Sequence, residues 1–178
     1  MNTTKEKMEK MFDVFQKNFG YKNKLAIPKL IKIVVNTSTG STKDKKKIEI
    51  VQDRLAKILG QKTVAKSAKK SIASFKLREG DIIGYSATLR GQQMYNFLDK
   101  LINIAIPRMH DFQGISRGSI DAMGNLTIGI KEHTIFPEVA DEDLKDVFGF
   151  SITIVTTSKI PRETEMFFEQ IGVPFVKK

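Results

Sequence analysis

The apolar residues of this chain follow two periods by turns, and the switching between them limits the folds open to it. Met8, Met11, Phe12, Phe15 and Phe19 fall at helical spacing, which predicts an amphipathic helix over residues 3–19 ended by Gly20. After Pro28 the period shortens to two. Residues 30–37 read as a strand, with Ile31, Ile33 and Val35 on one face and Lys32, Val34 and Asn36 on the other. Ile48, Val51, Leu55, Ile58 and Leu59 restore helical spacing up to Gly60, a residue type favoured just past a helix end. Residues 61–66 can begin a short strand, 67–81 form a long basic excursion, and 82–90 read as another strand. Met94, Phe97, Leu98, Leu101, Ile102 and Ala105 define a third helix closed by Pro107. Turn-rich residues 108–121 lead to a strand near 125–131, a loop around Pro137 and an acidic turn at 141–147. The strand at 151–157 is the plainest, β-branched without interruption from Ile152 onward. Pro161 suits the first turn of a last helix, with Met166, Phe167 and Ile171 inward and Gly172 after it.

Helices and strands interleave without a strict βα repeat. The economical solution is an α+β fold: a single two-layer sandwich, its mixed, mostly antiparallel sheet covered by helices on one face, with a long basic loop. A length of 178 residues suits one domain over 1–178 and a core that needs no staple. Cysteine is absent, which excludes a disulfide scaffold, a thiolate zinc site and a cysteine nucleophile, and fits a reducing cytoplasm. The longest apolar runs are a few residues, far short of the ~20 that span a bilayer. The first helix is no targeting signal by its chemistry. Its polar face carries Glu6, Glu9 and Asp13 beside lysines, without arginine or a continuous apolar centre. Packing on the protein's own core is its expected role, with adsorption to a membrane surface through Phe12 and Phe15 as the weaker alternative.

Charge divides the chain unevenly. Residues 1–80 hold 20 basic and 7 acidic side chains, a net of +13, whereas 81–178 hold 10 and 13, a net of −3. A one-sided positive field is the footprint of a polyanion partner. A merely basic, soluble protein would show the excess without the segregation.

A sheet covered on one side leaves its other face free. The strand at 30–37 offers Lys32 and Asn36 there, and the strand at 82–90 offers Ser86, Thr88 and Arg90 opposite Ile83, Tyr85, Ala87 and Leu89. Hydrogen-bonding groups rather than aromatic rings occupy these positions, so the expected ligand is folded RNA read by shape and backbone, not unstacked single strands. Taken one at a time, these residues also fit a plain solvated face. Lys43, Lys45, Lys46 and Lys47 crowd the start of the second helix, where the dipole disfavours cations and Asp44 alone compensates. Phosphate at that terminus would explain them, as would a solvated lysine loop. Residues 61–78 carry Lys62, Lys66, Lys69, Lys70, Lys76 and Arg78 with no acid, interleaved with small residues that let a backbone approach phosphates closely. A solvated helix face is the alternative there.

Catalytic signals are poor. His110 and His133 are not spaced as a metal pair, and each reads as an ordinary surface or loop histidine. Residues 39–43, Thr-Gly-Ser-Thr-Lys, lack the glycine and lysine order of a phosphate loop. Asp141, Glu142 and Asp143 suit a helix start. No nucleophile, base and orienter assemble, so neither an enzyme, a cofactor nor a metal is expected. An RNA-modifying or phosphate-handling enzyme with a basic docking face is the alternative from a different class.

Short strings occur in order along nearly the whole chain: Gln61-Lys62-Thr63, Ala68-Lys69-Lys70-Ser71, Phe75-Lys76-Leu77-Arg78-Glu79-Gly80, Thr88-Leu89-Arg90-Gly91, Ile106-Pro107-Arg108, Asp111-Phe112, Gly124-Asn125, Ile135-Phe136-Pro137-Glu138 and Ile152-Thr153-Ile154-Val155-Thr156-Thr157. Together they resemble the bacterial large-subunit ribosomal protein five family. The resemblance implies a protein of the central protuberance that holds 5S rRNA and docks it onto 23S rRNA, beside other proteins of that protuberance and away from any membrane. It implies that Asn36, Gln61, Thr63, Ser67, Thr88 and Arg90 grip the 5S RNA, to which the charge reading adds Lys32, Lys45, Lys46, Lys47, Lys66, Lys69 and Lys70. It further implies that the loop at 71–84 reaches P-site tRNA and a small-subunit protein, through Phe75, Lys76, Leu77, Arg78, Glu79 and Gly80 near its tip. The chain departs from the family pattern where Thr37-Ser38 replaces Met-Gly, Ile82 replaces Pro, Ser86 replaces Lys, Gln113 replaces Arg, and Ala122-Met123-Gly124 replaces Gly-Arg-Gly. Three cations are thereby lost, and the lysines at 43–47 are expected to offset part of that loss. Charge reversal of Lys45, Lys46 and Lys47 should weaken 5S RNA binding and flatten its salt dependence; a salt series showing unchanged affinity would refute the compensation.

Overall fold

The computed structural model describes residues 4–40, 44–109, 112–139 and 147–176. Four helices and five strands alternate as α1 (Thr4–Phe19), β1 (Leu30–Ser38), α2 (Lys45–Leu59), β2 (Val64–Ser67), β3 (Ile82–Leu89), α3 (Gly91–Lys100), β4 (Leu126–Ile130), β5 (Phe150–Thr156) and α4 (Pro161–Ile171). This is the expected α+β class, with an open sheet in the order β2-β3-β1-β5-β4. The acidic turn expected at 141–147 lies, but for Val147, outside the described residues, as do Ser41, Thr42, Lys43, His110 and Asp111.

The helix boundaries follow local chemistry. The Asp44 side chain accepts the Lys46 N–H at 3.0 Å and caps α2, and Gly60 ends it at φ 65°. Pro161 opens α4, where a missing N–H costs nothing, and Gly172 closes it at φ 107°. The third helix departs from a uniform spiral. It passes into a π-helical turn at Leu101–Ala105 and a 3-10 turn at Ile106–Arg108 that contains Pro107. The wider turn keeps both Leu101 and Ala105 buried before proline, which has no N–H to continue the ladder, ends it.

Two compact units share the chain. The first comprises Met1–Ile33, Arg90–Ile128 and Thr153–Lys178. Here α1 packs against α3 and α4 through Met11 and Phe15, as its stripe predicted, facing Phe167, Phe168 and Ile171 as the buried row of α4. Phe168 is buried where Met166 was expected, and Met166 is half-buried. Polar groups fasten the packing. Thr4 donates to the Asp99 carboxylate, Lys7 Nζ donates to the Ile171 carbonyl at 2.6 Å, and Arg117 pairs with Glu165 and Glu169. Gly124, at φ 74°, lies against the Ser158 carbonyl and Thr164 Oγ1, leaving no room for a Cβ.

The second unit comprises Val34–Leu89 and Gly129–Ile152. Its α2 buries Val51, Leu55, Ile58 and Leu59 and packs on the 3-10 turn at Pro137–Val139. Along β3 the expected alternation holds, with Tyr85, Ala87 and Leu89 buried and Thr88 exposed. On β1 it sets in later than expected. Ile33, Val35 and Thr37 are buried, but Ile31 is 42% exposed. Leu30 buries instead, together with Ile27 and Pro28 in the chain entering the strand, before the ladder imposes its two-residue period. The short strand begins at Val64 rather than at 61, pairs antiparallel with β3, and is exposed at every residue. Gly84 is buried where a Cβ would meet the Thr37 carbonyl oxygen, so the two backbones approach closely only because glycine stands there.

One tie in the first unit has a pH signature. The Tyr21 hydroxyl donates to Glu163 Oε2 at 2.9 Å. Burial, reinforced by that hydrogen bond and the Glu163 charge, pushes the phenol up from 10.0 to about 12. A raised pKa in the folded state means the contribution is complete below pH 10 and is lost as pH rises toward 12. Tyr21→Phe should therefore flatten the alkaline fall in stability across that window; identical alkaline limbs in urea titrations of the two proteins would contradict the tie.

Candidate nucleic-acid interface

Each strand hides one row of side chains, which fixes what the opposite row can be. In the second unit the outward row comprises Val34, Asn36 and Ser38 on β1, Ser86 and Thr88 on β3, and Ser151 on β5. Ile82, exposed at the start of β3, pairs with Ser67 past the register shift and borders α2 instead. The pairing of Val64 with Ser86 and of Lys66 with Gly84 adds Val64 and Lys66 from β2 to the same face. The helix α2 lies on the other side. Its Glu49 carboxylate acts electrostatically on buried Tyr85, whose hydroxyl pKa is raised by desolvation first and by that charge second. Ser151 Oγ donates to the Asn36 carbonyl at 3.3 Å, leaving the Asn36 carboxamide outward and exposed. In the first unit Lys32, Thr127 and Thr153 take the outward positions of β1, β4 and β5, the two threonine hydroxyls 3.1 Å apart. Arg90, exposed, stands between β3 and the first turn of α3 and makes no capping hydrogen bond with its side chain.

Most of these groups are small, neutral and hydrogen-bonding, with valines interspersed on β1 and β2 and charge at the periphery. No aromatic ring stands in the outward row. Such a surface can follow the sugar and phosphate contour of a folded polynucleotide but offers no platform on which bases stack. The serine and threonine of β5 and the threonine of β4 were missed in the sequence, although the alternation of the 151–157 run would have placed the first two outward and that of the 125–131 run the third.

Other expected residues are distributed as follows. Ser67, Lys69 and Lys70 are exposed, and Gln61 is half-buried. Thr63 is 5% exposed, and among the described residues its hydroxyl has no hydrogen-bond partner, so it lies in the interior instead of forming surface. Lys46 and Lys47 are exposed in the first turn of α2, which Lys45 opens. The first-turn N–H of Lys46 is already taken by Asp44, so phosphate there would meet a partly capped terminus.

The basic excursion is a hairpin extension. Ala68 N–H donates to the Asp81 carbonyl at 2.8 Å, Gly80 N–H to the Ala68 carbonyl at 3.0 Å, and Glu79 N–H to Ser71 Oγ at 2.9 Å. Ile72 and Leu77 bridge in both directions at 3.1 and 3.2 Å around the 3-10 turn Ala73–Phe75. Phe75 and Lys76 are exposed at its end, Arg78, Glu79 and Gly80 are exposed along the arm that returns to its base, and Leu77 is half-buried toward α2.

One expectation fails outright. His133 is 1% exposed and stacks on Phe148 with ring centroids 4.3 Å apart. Arg54 Nη1, also buried, lies 3.2 Å from His133 Nε2. It is a core histidine, because a ring flanked by an arginine from α2 and an aromatic face exchanges water for packing and a hydrogen bond. Among the described residues there is no cluster able to hold a metal and no helix long and apolar enough to cross a membrane.

Comparison with known proteins supplies what geometry leaves open. Residues 23–78 match the family described as ribosomal protein L5, and residues 82–175 match the model of that ribosomal family's C-terminus. This chain belongs to the ribosomal protein L5 family. It is 52% identical over 162 residues to the large ribosomal subunit protein uL5 of Malacoplasma penetrans (strain HF-2), covering 90% of this chain and 87% of the relative. It is 45% identical over 179 residues to the protein of the same name from Thermoanaerobacter sp. (strain X514), covering 99% and 100%. As a family member it is a structural, non-enzymatic component of the large ribosomal subunit in the cytoplasm, which sets aside the enzyme alternative.

Because Asn36 and Thr88 are exposed and outside the core, replacing either by Ala should leave folding stability within about 0.5 kcal/mol. Urea denaturation checks this, and a larger loss would show that the face is structural.

Proposed function

We propose that this protein holds 5S rRNA against the outward row of its sheet, docks it onto 23S rRNA in the central protuberance, and reaches P-site tRNA with the hairpin tip. The observation that carries the reading is the cluster of hydrogen-bonding groups Asn36, Ser38, Ser86 and Thr88 in the outward row, bounded by Val34 on β1 and by Val64, Lys66 and Ser67 on the edge strand. Lysines at the margin raise the local concentration of a polyanion, and neutral hydroxyls and a carboxamide then select for its shape. Lys69 and Lys70 add positive charge in the second unit and Lys32 and Arg90 in the first, with Lys46 and Lys47 on the first turn of α2, which Lys45 opens. Contact with tRNA, and with a small-subunit protein across the interface, falls to Phe75, Lys76, Arg78, Glu79 and Gly80, with Leu77 supporting them from the α2 side. The internal hydrogen bonds of the hairpin favour such a role, since a preordered loop surrenders less entropy on docking.

A titration against 5S rRNA over a salt series, with an unrelated structured RNA as competitor, tests the reading. Binding should persist at physiological salt and prefer 5S rRNA. Asn36→Ala and Thr88→Ala should weaken it by about 1 kcal/mol each without changing the salt slope, whereas Lys66→Ala should reduce that slope. Equal affinity for both RNAs, lost together as salt rises, would leave only a nonspecific electrostatic surface.

A further inference from the structure

The second unit holds a cleft that the sheet-face reading does not use. It encloses about 570 Å³ between the first half of α2, the hairpin and the start of β3. Three kinds of group meet there. Ile82 and the buried ring of Tyr85 provide an apolar wall, and Glu49 and Gln52 bring a carboxylate and a carboxamide from α2. Phe75, 68% exposed, borders it from the hairpin, and among the described residues it is the one aromatic residue that is neither buried nor half-buried. Beside it, Lys76 holds φ 52°, the single positive φ outside glycine among the described residues. That backbone is costly for lysine and persists because the Lys76 N–H bond to the Ala73 carbonyl and the Ile72–Leu77 bridge enforce it. The turn is thereby fixed in a form that keeps both Phe75 and Lys76 on the cleft.

An apolar slot bordered by one aromatic ring, with an acceptor and an amide on the opposite wall, has the chemistry of a nucleobase site. The ring face stacks, and the polar edge bonds to carboxylate and amide. We infer that the cleft takes a single unstacked nucleotide of an RNA partner, its base entering past Phe75 and its edge meeting Glu49 and Gln52. The inference rests on the RNA-binding reading above and extends it to one base. A carboxylate accepts but cannot donate: an exocyclic amino group offers it two N–H donors, whereas uracil offers only its N3–H, set between two carbonyl oxygens that repel the carboxylate, so bases with an amino group are preferred over uracil.

Uncharged nucleosides test this without contribution from the basic surface. The full chain, labelled at isoleucine δ1 methyls, would be titrated with cytidine, adenosine and uridine. Saturable shifts at Ile48 and Ile82 are expected, weaker for uridine than for cytidine, which differs from it at the amino position. Glu49→Gln and Gln52→Ala should each weaken cytidine binding by about threefold or more. Unmoved Ile152 and Ile154 methyls, from the buried row of β5, would show that the variants remain folded. Absent shifts, or equal responses to cytidine and uridine, would overturn the inference. The same preparation would be titrated with 5S rRNA. Binding of 5S rRNA with no nucleoside response would sink the cleft alone, whereas nucleoside shifts without 5S binding would sink the ribosomal-face reading and leave the cleft standing.

Discussion

Burial of one row of each strand is the constraint on which the rest of this structure depends. Ile33, Val35, Tyr85, Ala87, Leu89, Ile152 and Ile154 are withdrawn from water, each larger side chain contributing about 1.5–3 kcal/mol. Because a strand has a period of two, committing these residues inward sends Asn36, Ser86, Thr88 and Ser151 outward. The polar face is therefore not assembled separately from the core. A register slip of one residue would bury the polar row and expose the apolar one, so the same free energy that holds the fold also holds the surface. Gly84 shows how tightly this is set, since its lack of a Cβ lets β3 lie against the Thr37 carbonyl.

Charge is arranged differently from polarity. The small hydrogen-bonding groups occupy the middle of the outward row, while the lysines stand on the exposed edge strand, the hairpin and the first turn of α2. Long-range attraction needs little geometric precision and can be carried by flexible ammonium groups; shape recognition needs fixed donors and acceptors, which strands supply. The hairpin joins the two styles. Its backbone is fixed by its own hydrogen bonds, yet its side chains are almost all exposed, so its end is both ordered and unoccupied by the core.

Periodicity made most elements legible, because helices and strands that bury one side must repeat their apolar residues at 3.6 or 2. It failed where that requirement lapses. The alternation of β1 begins only at Ile33, Met166 gives way to Phe168 on α4, and α3 widens into a π-helical turn ahead of Pro107. The lysines and the polar row were legible too, as was the family, since ordered short strings survive where single residues carry no information. Ser151, Thr153 and Thr127 were legible in principle, by the same alternation that revealed Thr88.

What the sequence determined by itself is local: which stretches are helix or strand, which side of each is apolar, and where positive charge gathers. Tertiary structure decided everything that depends on residues meeting across long separations. Arg54 and His133, 79 positions apart, become a buried pair that no spacing announces. Thr63 passes from expected surface to interior, and Glu49 and Gln52 come to share a cleft with Phe75 and Tyr85. The physical reason is that periodicity reports only which face of an element avoids water, whereas the partner covering that face is set by chain topology and packing.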